Sequence, residues 1–184
     1  MAADIKRIEI GAATISVSAY VTAGGSGSFT DVGYTEGPAT IEPGGSDYRI
    51  EPEQVLGAIR SVPTKVEHKL KFAMKEAAAA NLQWAIRQLA ANLTGTAPNY
   101  TLLVGDPVET YQQLKLVTKG GRATATGTDG TQTWTFWRCA SMAVEAIGVT
   151  KEKEKIIGVT FDILYDESVA TADKYYKQVT ASGT

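Results

Sequence analysis

Residues 65–89 read KVEHKLKFAMKEAAAANLQWAIRQL, and neither glycine nor proline separates their two halves. In the first half Val66, Leu70, Phe72 and Met74 share one face with His68, while Lys65, Glu67, Lys69 and Lys71 take the other. That period of two describes a strand with a dry side and a charged side. From Lys75 onward the alanine run at 77–80 favours helix, and Leu82, Ile86, Leu89 and Leu93 recur at helical spacing. The pattern therefore predicts a strand that runs straight into a helix over residues 76–93, stopped near Asn92 and Gly95. Trp84 lies about 200° round that helix from Leu82. It stands off the apolar stripe and needs a second surface, in this chain or on a neighbour.

Most of the remaining chain reads as strand. Residues 6–10 and 13–21 are rich in β-branched side chains, and 48–55, 100–104, 111–118, 133–144 and 156–165 have strand character. Residues 119–132, with Gly120, Gly121, Gly127 and the Asp129-Gly130 pair, form a hairpin-type connection. Residues 22–47 read as a long flexible loop, permitted by Gly24, Gly25, Gly27, Gly44 and Gly45 and interrupted by Pro38 and Pro43, with short strands at 29–34 and 39–41. The polar tail from 168 is expected to be a loose arm or a short helix at 172–178. One domain over residues 1–184 follows: mainly β, an antiparallel sandwich or barrel, with one flanking helix and polar terminal arms.

Composition narrows the function classes. A net charge of −2 excludes a generally basic nucleic-acid binder. One cysteine, Cys139, provides no internal disulfide. The opening MAADIKRIEIG has no apolar run behind a basic segment, so no secretory signal is expected. No stretch reaches the roughly 20 apolar residues of a membrane span. A soluble protein made in a reducing cytoplasm is the expectation.

Catalytic, metal and cofactor chemistry is not expected. His68 is the only histidine and sits on an apolar strand face, where a hydrogen-bonded structural role outweighs catalysis. No His pair or Cys-His set suits zinc, and no serine occupies a Gly-x-Ser-x-Gly elbow. Gly24-Gly25-Ser26-Gly27 lacks the Gly-Lys-Ser/Thr ending of a phosphate loop. Asp162, Asp166 and Glu167 lack calcium-loop spacing, Lys119 and Arg122 suit a solvated hairpin tip, and the KEKEK run at 151–155 suits a solvated turn. On strand 133–144 alternation puts Trp134, Phe136, Arg138, Ala140, Met142 and Val144 on one face. Trp137 and Cys139 fall on the other, so Trp137 joins Trp84 as a candidate intermolecular contact.

Three segments carry a family resemblance: DVGYTEGPATIEP (31–43), YRIEPEQVLGAI (48–59) and VEHKLKFAMKEAAAANLQWAI (66–86). Their order is a glycine-aromatic-threonine turn, a strand ending in Glu51, Gln54 and Gly57, then an alternating strand reaching Glu76 and a helix with Asn81-Leu82. In this the chain resembles the major tail tube proteins of long-tailed, siphovirus-like bacteriophages, over residues 30–90. The resemblance implies ring-shaped homo-oligomers, usually hexamers, stacked into a tube that conducts DNA. It implies as partners further copies of the chain, the tape-measure, tail terminator and baseplate proteins, and DNA in transit without sequence specificity. The location implied is the virion tail, assembled in the host cytoplasm. Candidate subunit contacts are Trp84, Trp137, Arg87, Phe29, Tyr34, Gly24, Gly25 and Gly27, and candidate lumen or exposed-sheet residues are Asp162, Lys69 and Lys71. The alternatives are another phage part, such as a capsid decoration or tail terminator, and a small-molecule-binding β-barrel.

Overall fold

The structure, a computed structural model, describes residues 13–51, 57–75, 78–96, 99–122, 129–144, 156–170 and 173–181. The expected strand at 6–10, Glu76, the KEKEK run and the side chains of Lys119 and Arg122 lie outside the described residues. Among the described residues the chain is mainly β with a single α-helix, as its alternation predicts. In chain order the elements are β1 (Thr14–Ala19), β2 (Thr30–Asp31), β3 (Thr35–Ile50), β4 (Arg60–Met74), α1 (Ala79–Ala85), β5 (Leu93–Thr96), β6 (Asn99–Leu102), β7 (Gln112–Arg122), β8 (Asp129–Val144), β9 (Ile157–Ile163) and β10 (Tyr176–Ala181). All pairings are antiparallel, in the order β2-β1-β7-β8-β9-β4-β3 with β10 added to β8, and β5-β6 form a separate hairpin.

The first and last strands of that path, β2 and β3, are joined through only Val32, Gly33 and Tyr34. The four Cα–Cα steps from Asp31 to Thr35 span at most about 14 Å. The sheet must therefore curl until its ends nearly meet, which encloses one apolar face in a sandwich-like body. Ile15, Leu70, Met74, Leu114, Phe136, Ile157 and Phe161 fill that interior at 0–1% exposure. Phe72 stacks on Phe161 with ring centroids 5.9 Å apart.

Register explains why strand 133–144 departs from simple alternation. Leu114 pairs with Phe136 but Gln112 pairs with Cys139, so Trp137 and Arg138 together oppose Gln113. A second irregularity between Ser141 and Ala143 leaves Met142 as the extra residue against β9. Each bulge moves the following side chains to the opposite face. The inward residues are consequently Phe136, Cys139 and Ser141, with Trp134 and Val144 packed at the margin, while Arg138 and Met142 leave the core face.

Three other expectations are corrected. The stretch 22–47 is not a loop throughout, because β3 occupies it from Thr35 and pairs with β4 along almost its whole length. The tail is neither arm nor helix: β10 pairs with β8 from Tyr176↔Phe136 to Ala181↔Thr131. Tyr176 anchors it, its ring 5.7 Å from Trp134 and 5.6 Å from Phe136. The helix is far shorter than 76–93, ending at Ala85. Arg87 adopts φ 58°, its N–H bonds to Trp84 O, and the Gln88 N–H reaches back to Gln83 O at 2.9 Å. These bonds form a Schellman ending with arginine in the left-handed position that glycine usually fills.

Candidate functional site

Two features stand out from the body: an exposed arm and a neutral cavity beneath α1. The arm exists because β9 covers β4 only from His68 to Met74. From Arg60 to Glu67, among the described residues, β4 has β3 as its sole neighbour. Seven or eight residues of two-stranded ribbon extend the arm roughly 25 Å at about 3.3 Å per residue. Tyr48 is 63% exposed and Ile59 62%, and Val66 and Ile50 are also open. Tyr48 pairs with Val62 and Ile50 with Arg60, so these four share one ribbon face with a single positive charge among them. Gly45 lets the strands approach closely here, since a Cβ on it would lie 2.5 Å from Lys65 O.

The candidate lumen residues do share a face. Lys69 is opposite Asp162, between the core pair Leu70↔Phe161 and the His68↔Ile163 pair, so both project away from the interior. Lys71 continues that face and binds Glu42 at 2.8 Å. Lys75–Glu36 at 2.6 Å and the Lys65–Glu67 pair add further matched charges. Lys65 lowers the pKa of Glu67, and Glu67 raises that of Lys65. Both are exposed, and such pairs weaken in salt.

The candidate contact residues are not brought together. Trp84 finds its second surface within the chain: it is 7% exposed and lies 5.6 Å from the Phe161 ring. The reason is that α1 turns Asn81, Trp84 and Ala85 inward, with Gln88 buried just beyond its end, while Leu82 is only partly buried against the core and Leu89 is 48% exposed. Asn81 Nδ2 donates to Val32 O at 2.9 Å, and Gln88 Nε2 donates to Gly105 O at 3.0 Å while its Oε1 accepts from Gly105 N and Asn92 Nδ2. Trp137 is half-buried, and its indole N–H donates to Asp173 O at 2.9 Å. Both tryptophans thus serve the body.

Gly24, Gly25 and Gly27 also serve internal packing. Gln113, fully buried, receives the Gly27 N–H on Oε1 at 3.1 Å and donates Nε2 to Val21 O and Gly25 O at 3.1 and 2.9 Å. A Cβ on Gly27 would sit 1.9 Å from Ser18 Oγ, and Gly24 has φ 66°. Phe29 is half-buried with Lys115 Nζ 4.8 Å from its ring centre. Arg87 is half-buried beside Pro107, Met142 and Val144 in a shallow cavity of about 320 Å³. Tyr34 alone of this set is open, at 77%.

Sequence reading missed a cluster behind β8. Arg138 lies 4.0 Å from the Tyr111 ring centre, and Tyr20 OH donates to Asp166 Oδ1 at 3.1 Å. Ser168 N–H and Oγ donate to the same oxygen, so Asp166, 1% exposed, ties the β9 exit to the β1 exit. No group of three or more His, Cys, Asp or Glu suited to a metal occurs among the described residues. His68 lies edge-on to Tyr175 and Tyr176, at 5.0 and 5.5 Å. Cys139 is fully buried, and burial pushes its thiol pKa up.

The second feature, a cavity of about 360 Å³, lies between α1, β1 and the start of β7. Val17, Ala19, Ala80 and Trp84 supply apolar wall, and Ser18, Asn81, Gln83, Gln88, Thr110 and Gln112 supply polar groups. No charged side chain lines it among the described residues. Gln112 Oε1 and Thr110 Oγ1 are buried without a hydrogen-bond partner.

Comparison with family models and with curated proteins finds no match. Among the described residues no helix is long and apolar enough to cross a membrane.

Proposed function

We propose that the chain is a structural subunit that self-assembles into stacked, hexameric rings forming the tail tube of a long-tailed bacteriophage. Its role is a conduit for DNA and not catalysis. The observation that carries this reading is the β3–β4 arm. A two-stranded ribbon with bare faces and free edges is marginal in water by itself, and this one exposes Tyr48, Ile59 and Val66. Copies of the chain are the simplest cover for such a surface, because β3 is also the outer strand of the sheet and unpaired edges invite strand addition. A head-to-tail contact that closes gives a ring, and a second, axial contact that cannot close gives a filament.

The charge pattern is compatible with a conduit. The β4 outer face carries Lys65, Glu67, Lys69 and Lys71, and acids beside them offset the lysines: Glu67 pairs with Lys65, Asp162 stands opposite Lys69 and Glu42 binds Lys71, which limits the cationic field that would hold DNA through counterion release. The tape-measure, terminator and baseplate proteins are the further partners of this reading, and the virion tail is its location. Negative-stain microscopy of the purified chain, with sedimentation over a concentration series, tests it. Rings or tubes without other components are expected. A particle that stays monomeric at high concentration overturns the proposal.

A further inference from the structure

We infer that the cavity beneath α1 is a binding site for a small neutral aromatic molecule carrying a hydrogen-bond donor. Four observations carry this, and none depends on self-assembly. The volume of about 360 Å³ falls within the range of small-molecule sites. No charged side chain among the described residues lines the cavity, and an ionised ligand placed there would lose part of its hydration without gaining a counter-charge. Trp84, which packs on Phe161, is among the lining residues, and an aromatic neighbour suits a planar ring.

The fourth observation sets the polarity of the ligand. Gln112 Oε1 only accepts, and Thr110 Oγ1 stands two residues away on the same approach to β7. Both oxygens are buried without a partner, whereas the buried amides of Gln113 and Gln88 are bonded at both ends. A buried acceptor left unbonded is costly. A ligand N–H or O–H reached by rotation of the Gln112 amide supplies the missing bond and converts that cost into affinity. The site therefore selects for a donor, against a charge, and for a ring.

Three probes of nearly the same shape separate these requirements: benzamide, which is neutral with a donor; acetophenone, which is neutral without one; and benzoate, which is charged. Each is titrated into the 184-residue chain by calorimetry, with sedimentation recorded in parallel. Saturable benzamide binding is expected, with acetophenone about tenfold weaker, the worth of one hydrogen bond, and no benzoate binding. Gln112→Met is expected to bring benzamide down to the acetophenone level, and Ala80→Phe to fill the cavity and abolish both. Absence of saturable benzamide binding overturns the inference, as does equal binding of acetophenone or benzoate. Should either variant fail to fold, the three-probe series on the native protein still decides. Assembly seen in sedimentation without probe binding refutes this site and leaves the tube proposal intact, and binding by a strict monomer does the reverse.

Discussion

Gln113 is a single side chain on β7 that holds the turn after β1 in place, and its removal gives a worked prediction. Gln113→Met keeps the volume and the unbranched shape but deletes three hydrogen bonds, to Gly27 N, Val21 O and Gly25 O. At about 0.5–1.5 kcal/mol each the bonds sum to roughly 1.5–4.5 kcal/mol. The upper end applies only if the three backbone groups stay buried and unbonded. Val21 is already 38% exposed, so the turn can lift into water and recover part of that cost. A loss of about 2–3 kcal/mol is expected, and at about 2–4 °C per kcal/mol for a chain of this size that lowers Tm by roughly 4–12 °C. Urea unfolding followed by tryptophan fluorescence gives the energy. Amide hydrogen exchange locates it: protection at Gly27 falls by more than the global change, while β8 follows the global change alone. A variant within about 0.5 kcal/mol of the parent, or one that loses stability while the Gly27 amide keeps its protection, refutes the clamp.

Trp84→Ala removes a ring packed on Phe161 and is expected to cost about 3–5 kcal/mol, whereas Trp137→Phe loses mainly the bond to Asp173 O and costs about 1 kcal/mol; chemical denaturation of both compares them. Gly27→Ala places a methyl against Ser18 Oγ and costs about 1–3 kcal/mol, partly relieved by Ser18→Gly, a rescue read in the double-mutant cycle. The buried Cys139 thiol has its pKa raised, so the folded chain keeps a proton that the unfolded chain releases; stability is independent of this group below the ordinary thiol pKa of 9.0 and falls as pH rises above it. The difference between parent and Cys139→Ala unfolding energies, measured across that window, isolates the effect, and native protein resists alkylation there. On the tube reading, Tyr48→Asp with Ile59→Asp leaves the fold and its Tm unchanged within error but stops ring stacking, as counted on microscope grids.

The fold class was legible because β alternation is a local property. Residues 65–74 alternate apolar with charged, and the structure lays them down within β4 with Leu70, Phe72 and Met74 on a dry face, while Val66, out on the arm, stays exposed. The same logic failed on β8, where bulges at Trp137-Arg138 and Met142 switch faces twice. A bulge depends on what the neighbouring strand offers, and nothing in TWTFWRCASM announces it. The tail was misread for a related reason: Tyr176 has no visible role until β8 presents Trp134 and Phe136 beside it.

The candidate surfaces divide along the same line. Glycines in residues 22–27 signalled an unusual backbone, correctly, but not that Gln113 would be its internal anchor. The helix shows the contrast most plainly. Its sequence advertises Leu82, Ile86 and Leu89 as the buried stripe, yet Asn81, Trp84 and Ala85 are the residues it buries, and Leu82 packs only partly against the core. Alternation and composition alone determined that this chain would be a mainly β body with one helix and charged outer strands. Which residues face the core at α1 and β8, where the cavity opens and how far the arm projects were decided only by tertiary contacts. A buried amide is favourable or ruinous according to whether a carbonyl such as Val32 O or Gly105 O waits opposite it, and that is settled by residues distant in the chain.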